Sequence, residues 1–219
     1  MRTYFFRLWH KVGFIIMPDL YKEAFRRFSF LNKLHYGYDI INQKKMYKKD
    51  RKRFGVFKTI ENVYEQVDKF INEYQKKQNL ELTCKNGCAY CCTKEVFISD
   101  DEANVLYNYA LKNSIQIDYA KAHYQAVNKF NIPLHHRSCI FLDAESKSCK
   151  VYEVRPLCCR LLFSRTDAKY CLDEKLGKPQ YLMLFKLENT KTAIWNSSIS
   201  GILPAMLMKQ TQDKVIGKV

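Results

Sequence analysis

The stretch Cys84-Lys85-Asn86-Gly87-Cys88-Ala89-Tyr90-Cys91-Cys92 places four thiols within nine residues. Neither a strand period of two nor a helix period of 3.6 brings all four to one point. A tight loop wrapped around an ion does, and Gly87 can reach backbone angles closed to other residues. Four more cysteines follow the same logic. Cys139 and Cys149 bracket a short polar loop, Cys159 closes the run Arg155-Pro156-Leu157-Cys158-Cys159-Arg160, and Cys171 lies a dozen residues on. The chain therefore reads as one built round a cysteine-bound metal centre.

Nine cysteines serve either as disulfides or as ligands, and the compartment decides. The longest apolar run near the N-terminus, Val12 to Met17, is too short and too aromatic-flanked for a signal peptide. No stretch approaches the roughly 20 apolar residues that span a bilayer. These observations predict a cytoplasmic protein, in which thiols stay reduced and clusters of them are ligands. At 219 residues, 47% hydrophobic and 14% aromatic, the chain is long and apolar enough for a good core.

The net charge of +15 is unevenly distributed. Residues 1–56 hold 14 Lys/Arg against 4 Asp/Glu, while the remaining 163 hold 23 against 18. The run Lys44 to Arg53 carries seven cations and one acid. Such a run attracts phosphate backbones and acidic membranes, and it also suits a solvated linker or helix face. Residues 1–42 mix aromatics (Tyr4, Phe5, Phe6, Trp9, Phe14, Phe25, Phe28, Phe30) with cations, and a short helix is expected from about Asp19 to Phe28. Packing on the core or on a partner, or an interfacial helix on anionic lipid, would each use that mixture.

The expected fold is mainly α and loop-rich, with helices packed around cysteine-rich loops. Phe57, Ile60, Val63, Tyr64, Val67, Phe70, Ile71 and Tyr74 share one face of a helix over 56–78. Val96-Phe97-Ile98 reads as a short extended segment. Ser99 and Glu102 form a capping-box pattern that opens a helix burying Val105, Leu106, Tyr109 and Leu111. A further helix is expected over 118–130 and loops over 134–172, with an apolar run at 181–187 that suits helix or strand. A terminal helix near 202–208 should be interrupted at Pro204. Three divisions follow: a basic aromatic arm (1–55), a cysteine-cluster domain (56–175) and a C-terminal segment (176–219) packed on it.

Thiolates are soft ligands for zinc, Cu(I) and iron–sulfur clusters. Zinc takes four ligands in a tetrahedron, and clusters are held by cysteines spaced two to four apart plus a distant one. Eight cysteines suffice for two four-thiolate sites, or for one cluster beside a second site. The spacing points to a metal without identifying it.

The pattern C-x3-C-x2-C-C, then C-x-F-L, then C-x-V-Y-x2-R-P-x2-C-R and a last Cys resembles the CxxCxxCC cysteine-cluster family. Here it falls on Cys84, Cys88, Cys91, Cys92, Cys139-Ile140-Phe141-Leu142, Cys149-Lys150-Val151-Tyr152, Arg155-Pro156, Cys159-Arg160 and Cys171. The resemblance implies a zinc- or iron-chelating domain over roughly 80–175. It is shared distantly with the cluster region of flagellin lysine N-methylase, whose additional sequence is not recognisable here.

Beside these eight candidate ligands, Arg155 and Arg160 could offset thiolate charge or hydrogen-bond to sulfur as cofactor-binding residues. Phe141, Leu142, Val151 and Tyr152 would form an apolar wall. Cys158 reads as a small buried residue, and His135 and His136 as spare zinc donors. C-x3-C-x2-C also resembles the cluster loop of radical S-adenosylmethionine enzymes. The fit is poor, because Gly177 and Gly201 are the only glycines between Cys92 and the terminal Gly217. With no hydrolytic triad, P-loop or dinucleotide fingerprint, no catalytic residue is assigned. The leading reading is a metal-binding protein holding zinc or an iron–sulfur cluster. The alternatives are an iron–sulfur redox or methylase-like enzyme, and a basic adaptor using residues 1–55 to bind nucleic acid or an anionic membrane.

Overall fold

A computed structural model of the chain describes residues 28–84, 86–128, 131–172 and 180–215. The expected helix from Asp19 and the aromatics before Phe28 lie outside these residues. Two compact units are present, Met1–Asn42 and Gln43–Val219. In the first, Ser29 caps the helix that starts at Phe30, its Oγ accepting from the Asn32 N–H at 3.3 Å.

The fold is mainly α. Helix α1 (Phe30–Gln78) is broken once, at Gly55, whose φ of 79° and ψ of 173° are non-helical. That left-handed φ suits glycine alone among ordinary residues. Beyond the break, Thr59 returns a hydrogen bond from Oγ1 to the Gly55 carbonyl at 2.7 Å. The expected helix from 56 thus starts where predicted, but a helical arm also precedes it and contains the whole Lys44–Arg53 run. Lysine and arginine are good helix formers, so the run costs little there. Of the two readings the run allowed, linker or helix face, the structure has the helix face.

In the second unit the face Ile60, Tyr64, Val67 and Ile71 packs with Val105, Leu157, Leu161, Phe163, Leu187 and Ile194. Phe57, expected on that face, is 51% exposed. Helix α2 (Asp100–Lys112) opens with both halves of the capping box formed between Ser99 and Glu102. It buries Val105, Leu106, Tyr107 and Ala110, whereas Leu111 is exposed. Leu106, Tyr107 and Ala110 belong to a second core with Ala122, Phe141, Val151, Leu203, Met206 and Leu207. Helix α2 therefore stands between the two cores.

Helix α3 (Tyr119–Val127) starts on the Asp118 cap, which accepts from the Lys121 N–H at 2.9 Å. The stretch expected to be loops contains two one-turn helices, α4 (Leu157–Arg160) and α5 (Lys169–Leu172). The apolar run at 181–187 divides into a strand and the start of helix α6 (Phe185–Trp195). Helix α7 (Leu203–Val215) packs against α2 and α3. Pro204 does not interrupt it, because at the second helical position its missing N–H would have had no partner anyway.

Among the described residues, four short strands form two antiparallel pairs. β1 (Phe97–Ser99) pairs with β4 (Ser200–Ile202), Ile98 opposite Gly201. β2 (Phe163–Ser164) pairs with β3 (Tyr181–Leu182). No helix among the described residues is long and apolar enough to cross a membrane.

Candidate metal centre

The first cysteine loop is placed by short-range constraints. Gly87 has φ 87°, the left-handed geometry that turns the chain between Cys84 and Cys88. Tyr90–Thr93 then forms a single 3-10 turn, with the Lys94 N–H donating to the Cys91 carbonyl at 3.0 Å. Upstream, Thr83 holds the loop to β2: its Oγ1 donates to the carbonyls of Ser164 at 3.0 Å and Thr166 at 2.9 Å. The Ser164 N–H in turn donates to Cys84 Sγ at 3.3 Å.

The second loop is tied to the first by one backbone bond, from the Cys139 N–H to the Cys92 carbonyl at 2.7 Å. Cys139 and Cys149 bracket a hairpin-like turn in which Leu142 and Cys149 form an antiparallel bridge. Asp143 Oδ1 accepts from the Ser146 N–H and hydroxyl, each at 2.9 Å. These bonds hold the Asp143 carboxyl down to about 2, the Ser146 amide contributing most.

The third loop depends on a distant residue. Glu102 accepts from the Ser99 N–H at 2.9 Å and, through its other oxygen, from the Leu157 N–H at 2.8 Å. That second bond satisfies a free amide at the start of α4, the turn that carries Cys158 and Cys159. α5, carrying buried Cys171, packs against the Tyr90–Thr93 turn.

Cys84, Cys88, Cys91, Cys92, Cys139, Cys149 and Cys159 all line one cavity of about 120 Å³, and Cys158 joins them. Cys171 is not on its wall, but its charge acts on Cys84 together with those of Cys88 and Cys91. Phe141, Val151 and Leu203 from one core and Phe163 from the other complete the wall. The cysteines thus gather where the two cores meet. Of the expected apolar wall, Phe141, Val151 and Tyr152 line the cavity; Leu142 does not. His135 and His136 are exposed and lie elsewhere.

The thiols are electrostatically unequal. Burial pushes Cys139 up to about 11 and raises Cys84, Cys149 and Cys159. Cys91 goes the other way, to about 7, because the Cys92 thiol donates to it; Arg155 adds a favourable charge. A thiol near 7 is about half thiolate at neutral pH, and thiolate is the form that ligates metals. As the thiol that ionises first, Cys91 adds to the upward shifts of Cys84, Cys92, Cys139, Cys149, Cys158 and Cys159.

The two arginines differ in position. Arg155 lines the cavity, its guanidinium 3.9 Å from the Tyr152 ring centroid, and its buried Nε has no hydrogen-bond partner. Arg160 does not line the cavity. It is buried and turned outward, bonded to Asp68 and to the carbonyls of Glu153 and Arg155. Its guanidinium stacks over Tyr64, which makes it a clamp between α1 and the third loop.

Residues 83–180 match the CxxCxxCC family. The family is described as a "putative zinc- or iron-chelating domain". Over 82 residues the chain is 35% identical to an uncharacterized protein of Methanocaldococcus jannaschii. That similarity covers 35% of this chain and 45% of the relative, so it spans about half the relative's length. No solved structure matches.

Two residues of the CxxCxxCC stretch and its surroundings escaped sequence reasoning. Cys158 faces the cavity beside Cys159, and no local signal marks that placement. Glu102 was legible only as a helix cap; nothing local marks its bond to Leu157, 55 residues away.

Proposed function

We propose that the CxxCxxCC domain binds zinc or an iron–sulfur cluster through Cys84, Cys88, Cys91, Cys92, Cys139, Cys149, Cys159 and Cys171. The observation that carries this reading is the gathering of seven of these thiols, from three separate loops, on one small cavity. The donor set is soft, Cys91 is held below the ordinary thiol value, and the unpartnered Arg155 N–H offers a donor to a bound thiolate or sulfide. Among the described residues, no three Cys, His, Asp or Glu side chains already stand in the arrangement a single ion requires. Binding would couple the metal to the local folding of these loops.

Bound zinc would act as a structural tetrahedral cross-link, and an iron–sulfur cluster would supply one-electron chemistry. Arg155 would orient and partly neutralise the thiolates in either case. Anaerobic purification followed by metal and acid-labile sulfide analysis separates the two. Sulfide with iron indicates a cluster, and zinc without sulfide indicates a structural or storage site. Cys88→Ser and Cys159→Ser should each lower metal content. Full metal in both variants, or none in the intact protein, would refute the assignment.

A further inference from the structure

The Lys44–Arg53 run is ordered by the helix that contains it. At 100° per residue, Lys45, Lys48, Lys49, Lys52 and Arg53 fall within an arc of about 140° on α1. All five are exposed. The opposite side of the same turns is anchored. The Tyr47 hydroxyl donates to Asp101 Oδ2 at 2.5 Å, and Arg51 makes a two-pronged contact with the same carboxylate at 2.8 and 3.1 Å. Tyr47 and Asp101 are both buried. Lys49 lies about 180° from the midline between Tyr47 and Arg51, so the anchor aims the stripe straight away from the core. None of the five cations has an acidic partner within 4.0 Å among the described residues, unlike Arg51, Lys58 and Lys209.

We propose that this stripe docks the phosphate backbone of a nucleic acid. Two rows, Lys45–Lys49–Arg53 and Lys48–Lys52, repeat their charge every four residues, about 6 Å along the axis. A regular row of fixed cations matches a polymer with regularly spaced anions, and its affinity comes from counterion release. A membrane is the poorer match. Helices that lie on bilayers insert an apolar face beside their cations. Here the face opposite the cations is occupied by Asp101, and Met46 is the one exposed apolar residue at the stripe's edge. Phe54 lies about 140° round from Lys49. Phe57 lines a separate cavity with Glu61, Glu65 and Asp68.

The test uses the full chain, purified with its metal, and a fluorescein-labelled 20-base-pair DNA duplex followed by anisotropy across a salt series. The intact protein should bind with a steep log–log salt dependence. Lys45→Gln/Lys49→Gln/Arg53→Gln together should weaken binding roughly tenfold or more and flatten the slope by about 2–3, since each neutralised phosphate adds about 0.9 to it. A triple variant of equal charge change away from the stripe, Lys76→Gln/Lys77→Gln/Lys112→Gln, should change both far less. Circular dichroism and metal content should match the intact protein in both variants, since all six side chains are exposed. The proposal fails if the duplex is not bound, if the stripe variant keeps the intact slope, or if the control variant is weakened as much. Stripe-dependent binding to phosphatidylserine vesicles without duplex binding would overturn it in favour of a membrane.

Discussion

Glu102 Oε1 accepts the backbone N–H of Leu157 at 2.8 Å, joining the first turn of α2 to the one-turn helix that carries Cys158 and Cys159. The same carboxylate completes the capping box with Ser99, and it is fully buried. One side chain thus starts a core helix and positions a cysteine loop.

Glu102→Ala should therefore lower both stability and metal retention. Losing the cap costs about 1 kcal/mol and leaving buried donors unpaired about 1–3 kcal/mol more. Urea unfolding and metal analysis check this. A change under about 0.5 kcal/mol with full metal content would show that Glu102 is a helix cap and nothing else.

Stripping the metal should disorder residues 84–95 first. No described residue in that stretch is buried, so the loop has no core contact of its own. The Cys139–Cys149 loop keeps Phe141 and Val151 in the core and should loosen less. Structural zinc supplies on the order of 10–16 kcal/mol in small domains, comparable to the stability of a whole globular domain. Limited proteolysis with and without chelator should show new cleavage within 84–95 while 56–78 stays protected. Equal protection of both in the stripped protein would contradict this coupling.

Arg155→Ala should weaken metal affinity by roughly 10–100-fold, the usual effect of removing a group that supports the ligands. Arg155→Lys should restore part of it, because the charge near Cys91 and Cys149 returns without the fork of donors. Competition with a chromophoric chelator measures both. Equal affinity in Arg155→Ala and the intact protein would leave Arg155 as a ring-stacking partner of Tyr152.

Acid should open the Cys139–Cys149 turn over a defined range. The Asp143 carboxyl is depressed to about 2, chiefly by the Ser146 amide. A group depressed on folding contributes stability above its unfolded value and loses it as pH falls towards the folded one. The loss should run from near pH 4 down to about pH 2. Carboxyl resonances followed by NMR should place the Asp143 midpoint well below that of an exposed aspartate. A midpoint near the ordinary carboxylate value would show that the turn does not hold it.

The features legible from residue order alone are local. The start of a helix at residue 56, the Ser99–Glu102 cap, the turn at Gly87 and the helical face through Ile60, Tyr64 and Val67 each follow from neighbours within a few residues. The period of an apolar face and the reach of a cap are short-range properties, so a single stretch of chain carries them. The helical arm through Lys44–Arg53 was half legible. Its cations gave the charge, but only the contact of Tyr47 and Arg51 with Asp101 decided which way that charge faces.

The arrangement of the candidate centre belonged to tertiary structure. Arg155 and Arg160 stand five residues apart with similar sequence credentials, yet one lines the cavity and the other is turned outward to Asp68 of α1. Cys158 and Cys159 are neighbours, and both reach the cavity because α4 is pinned at its start by Glu102. A side chain's direction depends on how its short element docks on distant ones, and no local pattern encodes a bond across 55 residues. Residue order supplied the thiols and their loops. Packing of the two cores against α2 decided where those loops meet.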